Sequence, residues 1–242
     1  MENTIISRRN AIQSAVMSIG AIATASFATN ASAQQTCEVF TSATQTATTP
    51  DAALKMLKDG NQRFIDGKTL NCDLRKQVMA TSEQQSPVAV IVGCIDSRVP
   101  PELVFDQRLG DVFAARIAGN FVNTDILGSL EFATAAAGAK LIVVLGHTQC
   151  GAIKGAVDDV KLGNLTSMLA NIRPSMSKLQ YTGLPSSKNK ELVQKLADQN
   201  AKDAAAMIMA KSEVIAKLVK DGKVKIATAM HDLGTGKVTW FA

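Results

Sequence analysis

The chain has 242 residues, 46% hydrophobic and 19% charged, enough for one sizeable core but short for two comfortable domains. Aromatics make up only 4%, so the core is built from Val, Ile, Leu, Ala and Met, which disfavours an aromatic-rich β-sandwich. A formal charge of +5 is too small to imply nucleic acid, and the lysines from Lys188 to Lys225 alternate with Glu191, Asp198, Asp203 and Glu213 as on a solvated helix face.

Residues 1–33 read as an address rather than a fold element. Arg8-Arg9 precede a mildly apolar stretch from Ala11 to Ala28, and Ala31-Ser32-Ala33 supplies a small-x-small cleavage site. Gln13, Ser14, Ser18, Thr24 and Ser26 interrupt that stretch, whereas a membrane span needs about 20 predominantly apolar residues, so no stable membrane insertion is expected. The paired arginines resemble signals of the route that exports folded proteins, which implies a periplasmic mature chain. Residues 34–49, rich in Thr, Ala, Ser and Gln with no apolar period, read as a flexible tether, and the folded domain is expected over 50–242.

Thr49-Pro50-Asp51 is a helix start, and Leu54, Leu57 and Phe64 give an apolar side before Gly67, which predicts two short helices. Residues 87–93 and 141–145 are continuous apolar runs without polar alternation, the pattern of strands covered on both faces. Between them lie a third apolar run at 111–117 and an Ala/Leu-rich helical stretch at 125–137. Helical segments follow Cys150 to about Lys220, broken near Pro174 and Pro185. The apolar stretch 223–229 then pairs through Gly234-Thr235-Gly236 with residues 238–241 as a hairpin. The class is α/β, an open and mostly parallel sheet flanked by helices.

Cys94 follows the first buried strand, His147 follows the second, and Cys150 lies three residues further on, so all three fall at carboxyl ends of strands. In an open α/β sheet that edge is where ligands bind. Two sulfurs and one imidazole suit zinc and leave one tetrahedral position for water or substrate. A closed structural site would need a fourth ligand, and Cys37, Cys72 and His231 are all distant in sequence. The plainer alternative is that Cys94 and Cys150 are buried thiols or a disulfide. Asp96 and Arg98 weigh against it, because charged groups at a buried strand end need a reason.

The segments Cys94-Ile95-Asp96-Ser97-Arg98-Val99-Pro100-Pro101-Glu102 and Gly146-His147-Thr148-Gln149-Cys150-Gly151 resemble the two signatures of β-class carbonic anhydrases. The similarity runs from about Pro50 to the C-terminus and takes in Val104 to Gln107, Gly110-Asp111, Arg116 to Asn120, and Asp232-Leu233. It implies reversible hydration of carbon dioxide to bicarbonate by zinc-bound hydroxide, with one zinc per chain on Cys94, His147 and Cys150. Asp96 and Arg98 would form a gate-keeping pair: Arg98 holds the carboxylate, and its release would let Asp96 swing onto zinc. Gln85 would donate to a substrate oxygen, Phe113 and Phe132 would form an apolar wall, and Gly119 and Gly151 would offer backbone N–H groups. Without the resemblance, the two phenylalanines read as core packing and Gln85 as a solvated loop residue.

The resemblance also implies a homodimer or larger homo-oligomer, with Gln85 and Phe113 reaching the zinc of the other subunit. Ile95, Arg108 and Phe132 depart from the usual residues of the family. Ile91 occupies the position of a Trp that in part of the family serves a regulatory bicarbonate site, so no such inhibition is expected. Two readings of other kinds stay open: hydrolysis of carbonyl sulfide or carbon disulfide on the same fold, and a zinc-binding module without turnover. In an oxidising compartment Cys37 and Cys72 can pair. His231 reads as a sheet residue with one satisfied ring nitrogen.

Overall fold

The computed structural model describes residues 37–241. The expected export signal, residues 1–33, lies outside the described residues.

Five strands among the described residues form one sheet in the order β2-β1-β3-β4-β5: β1 Ala89–Gly93, β2 Val112–Arg116, β3 Leu141–His147, β4 Lys225–His231 and β5 Val238–Trp240. The first four are parallel and β5 returns antiparallel to β4, the expected hairpin. Every residue of β1 and β3 is buried, which accounts for their unbroken apolar runs. The chain leaves β1 for β2 on one side and returns to β3 on the other, so the direction of winding reverses between β1 and β3. Connections leave that switch point in opposite directions and open a crevice at the carboxyl edge.

Helices α1 Ser42–Ala47, α2 Pro50–Ile65 and α3 Leu74–Thr81 precede the sheet, and α4 Pro101–Val104 follows β1. Helix α5 Thr124–Glu131 continues as a π-helical turn over Phe132–Ala136, so the stretch expected as one helix changes its hydrogen bonding at Phe132. Helices α6 Gly151–Val157, α7 Gly163–Leu169, α8 Arg173–Lys178, α9 Lys190–Lys211 and α10 Glu213–Lys220 lie between β3 and β4.

Two sequence expectations fail near the start of the domain. Residues 50–65 form one helix, not two, with the Thr49 side chain accepting from Ala52 N. Gly60 does not break it: a Cβ there would lie 1.8 Å from the Phe105 carbonyl oxygen, so the glycine lets α2 approach that backbone.

Residues 37–49 are also not a loose tether. Thr41 and Thr44 close a capping box at the start of α1, and the buried Gln45 amide donates to Pro87 O at 2.7 Å and Ala137 O at 2.8 Å. Polar residues thus anchor the arm by hydrogen bonds, which apolar periodicity does not register. A Cys37–Cys72 disulfide ties its beginning to the loop before α3. The Arg108 guanidinium donates to Glu38 O, lies 5.4 Å from the Phe40 ring centre and pairs with Asp111 at 2.6 Å.

Replacing Cys37 and Cys72 together by Ser should lower unfolding stability by about 2–4 kcal/mol in reversible urea denaturation. An unchanged midpoint would mean that Gln45 and Arg108 hold the arm without the disulfide.

Candidate metal centre

Strands β1 and β3 are hydrogen-bonded neighbours with Gly93 opposite Leu145, so Cys94 and the end of β3 emerge side by side at the carboxyl edge. Cys150 returns to them because Gln149 adopts a left-handed conformation (φ 57°), which turns the chain sharply between His147 and α6. A non-glycine residue held there costs roughly 1–2 kcal/mol, an expense the surrounding packing must offset. Thr148 ties the turn to β4 through its N–H to His231 O at 2.9 Å, and its hydroxyl accepts from Leu233 N at 3.0 Å.

The three predicted ligands meet. Donor atoms of Cys94, His147 and Cys150 all lie within 4.8 Å of one another, and all three residues are buried. The sulfurs are 3.9 Å apart and neither is in a disulfide, which disposes of the disulfide alternative. His147 Nδ1 lies 2.9 Å from Thr148 O, a contact that fits an Nδ1–H donating to that carbonyl and leaves Nε2 with its lone pair. Nε2 is buried with no hydrogen-bond partner. A buried acceptor without a donor, facing two sulfurs, is what a soft or borderline divalent ion satisfies.

The electrostatics of the thiols point the same way. The Cys94 thiol is pulled down to about 4, chiefly by its contact with the Cys150 thiol, and Cys150 is pushed up by the same contact and by burial. Between them the pair readily carries one negative charge. The Gly119 N–H donates to Cys94 Sγ at 3.3 Å. Gly151 opens α6 directly after Cys150 and is exposed.

Asp96 and Arg98 flank this cluster. Arg98 holds the carboxylate at two points, Nε to Oδ1 at 2.9 Å and Nη2 to Oδ2 at 2.7 Å, and its own N–H adds a third bond at 3.0 Å. The guanidinium keeps the Asp96 carboxyl well below the usual carboxylate range, so it is an acceptor at any working pH. Asp96 Oδ2 lies 3.9 Å from His147 Nε2, beside the space between the ligands. Arg116, at the end of β2, clamps the same loop from beneath with Nε to Cys94 O at 2.8 Å and Nη2 to Asp96 O at 2.6 Å. In the sequence Arg116 stands in a family motif and matches the arginine of the regulatory bicarbonate site; its clamp on this loop is signalled only by a charged residue closing an apolar strand.

Gln85 and Phe113 are not brought to this cluster within the chain. Gln85 is exposed on the loop leading into the amino end of β1, and Phe113 pairs with Val90, the second residue of β1. Phe113 and Phe132 meet edge to face with ring centres 6.1 Å apart; Phe113 packs against the core as the plain reading has it, whereas Phe132 is 56% exposed. His231 is the sheet residue expected, buried at the end of β4 opposite His147.

The carbonic anhydrase family model matches residues 89–238, which includes all three candidate ligands with Asp96 and Arg98. Carbonic anhydrase 2 of Mycobacterium tuberculosis is 35% identical over 199 residues, covering 78% of this chain and 92% of that protein. The chain belongs to the carbonic anhydrase family. Its fold is that of the β class. The Coccomyxa β-carbonic anhydrase, solved with acetazolamide, is 25% identical with a TM-score of 0.62, covering 69% of this chain and 77% of that one. A tetrameric β-carbonic anhydrase of Sordaria macrospora has a TM-score of 0.60 at 24% identity, covering 69% and 90%. This carbonic anhydrase is therefore an enzyme of carbon dioxide hydration, and its cysteine–histidine–cysteine cluster lies inside the matched region.

Burial holds the His231 imidazole below its ordinary 6.5. Between that value and the lower folded one, the unfolded chain binds the extra proton, so His231 makes stability rise with pH; above 6.5 it contributes nothing. His231→Phe should flatten that part of the pH–stability curve, measured as urea midpoints from about pH 5 to 8. Equal slopes in the two proteins would refute the assignment.

Proposed function

We propose that Cys94, His147 and Cys150 hold one zinc ion and that Asp96 and Arg98 govern the hydration of carbon dioxide beside it. The observation that carries this is the convergence of two sulfurs and an unpartnered buried imidazole nitrogen, with a carboxylate oxygen 3.9 Å from that nitrogen. When bound, zinc supplies a Lewis acid that lets water act as a nucleophile near neutral pH. Two thiolates offset the charge of the ion, so this set acidifies water less than an all-histidine one and the protein must assist. Asp96 Oδ2 assists by accepting a hydrogen of the attacking water, which turns an oxygen lone pair toward the carbon of carbon dioxide. Arg98 holds both Asp96 oxygens and so keeps the carboxylate off the ligand cluster. In this arrangement the gate is open.

The substrate pocket is completed by a second copy of the chain. Gln85 and Phe113 lie away from their own cluster, and the apolar Ile95, directly after Cys94, is 61% exposed. In the dimer Gln85 of one subunit donates to a substrate oxygen at the metal of the other, Phe113 and Phe132 line the apolar side, and the Gly119 and Gly151 backbones border it. Ile91 in place of an aromatic makes inhibition by bicarbonate at a regulatory site unexpected.

Asp96→Asn should retain zinc and lose about 10²–10⁴-fold in kcat/KM for carbon dioxide hydration by stopped flow. Gln85→Ala should also be weak, and refolding the two variants together should restore about a quarter of wild-type activity, because half the dimers then hold one intact site. Failure to recover would contradict the shared pocket.

The same chain is exported as a folded, metal-loaded protein and works in the periplasm, a reading supported by Arg8-Arg9, the weak apolar stretch and Ala31-Ser32-Ala33. Changing Arg8 and Arg9 to Lys should leave the enzyme in the cytoplasmic fraction at full precursor length. Normal processing and periplasmic recovery of that variant would exclude the twin-arginine route.

A further inference from the structure

Gly119 is held at both ends of its backbone. Its N–H donates to Cys94 Sγ at 3.3 Å, and its carbonyl accepts from Asn200 Nδ2 at 2.8 Å. Asn200 is buried and comes from α9, an element that supplies none of the metal-centre residues. Gly119 has φ +83°, a conformation that side-chain-bearing residues avoid, and a Cβ there would meet Ile172 Cδ1 at 2.6 Å and Ala152 Cβ at 3.2 Å. Packing therefore confines the residue, and the peptide that follows it is held at both polar atoms, its carbonyl by the Asn200 amide and the Asn120 N–H by Ile117 O at 3.0 Å.

We propose that Asn200 is a positioning residue for the metal centre, holding Gly119 so that its N–H stays on the Cys94 sulfur. This rests on the reading of Cys94 as a metal ligand. A hydrogen bond to a thiolate draws electron density from the sulfur and fixes its direction, so it tunes the metal–sulfur bond and limits how readily the ligand swings away. Asn200 acts only through Gly119. Loss of the Asn200 donor leaves the buried Gly119 carbonyl without a partner; the Gly119–Asn120 peptide, then held only by Asn120 N–H on Ile117 O, turns through the glycine's ψ and shifts the residue, which lengthens the contact of its N–H with the sulfur.

The test uses cobalt(II) in place of zinc, because thiolate-to-cobalt charge transfer gives a near-ultraviolet band that reports on the sulfur. Asn200→Leu keeps the size of the side chain and Asn200→Ala shortens it, so that one folds if the other does not. Ile208→Ala, also buried on α9 but packed in a different part of the core, serves as the control for general loss of stability. At equal cobalt content both Asn200 variants should move the band to longer wavelength and lose metal to a chelator about 10-fold or more faster than wild type. Ile208→Ala should lower the melting temperature without either change. An unmoved band and unchanged release in the Asn200 variants, or the same changes in Ile208→Ala, would overturn the proposal. A wild-type protein with no thiolate band at all would overturn the ligand assignment itself, and is thereby distinct from a failure of Asn200 alone.

Discussion

The parallel pairing of β1 with β3 is the constraint from which the metal centre follows. With Gly93 opposite Leu145, the residues that leave the two strands emerge at one edge of the sheet, at the point where the winding of the chain reverses. A slip of one residue would turn each side chain to the opposite face and separate Cys94 from His147. The slip is prevented by burial: both strands are covered on both faces, so register is set by the whole apolar core and not by the ligands.

On that scaffold the protein gathers more negative charge than bare burial allows. Two sulfurs and a carboxylate converge in a small space, and two of the three, Cys94 and Asp96, have a specific counterweight. Gly119 N–H serves Cys94, Arg98 serves Asp96, and Arg116 secures the backbone that joins Cys94 to Asp96. His147 Nε2 stays unpartnered, because Thr148 O engages the other ring nitrogen. The divalent ion proposed there meets the remaining demand of the site. Replacing its partners with water would forfeit the low-dielectric strength of these contacts.

The sheet and the ligand triad were legible because their signals are local or periodic: unbroken apolar runs for β1 and β3, and chemistry-bearing residues directly after them. What escaped is non-local or polar. Residues 42–47 carry no apolar period, yet α1 is anchored by one amide, Gln45, whose acceptors lie 42 and 92 residues away. Gly60 lies inside α2 and matters through the Phe105 backbone it admits, a residue 45 positions further along the chain. Arg116 stood in a recognised motif, but its grip on two carbonyls depends on β2 lying beside β1. Asn200 sits within a 22-residue helix of mixed composition, and nothing nearby in sequence links it to Gly119.

The claim on which all of this stands is a cluster of two sulfurs and one imidazole nitrogen that holds zinc with a place left for water. X-ray absorption at the zinc edge of the purified enzyme measures that coordination directly. The account predicts two sulfur neighbours at about 2.3 Å and two nitrogen or oxygen neighbours at about 2.0–2.1 Å. A shell without sulfur, or one with three sulfurs, would contradict it.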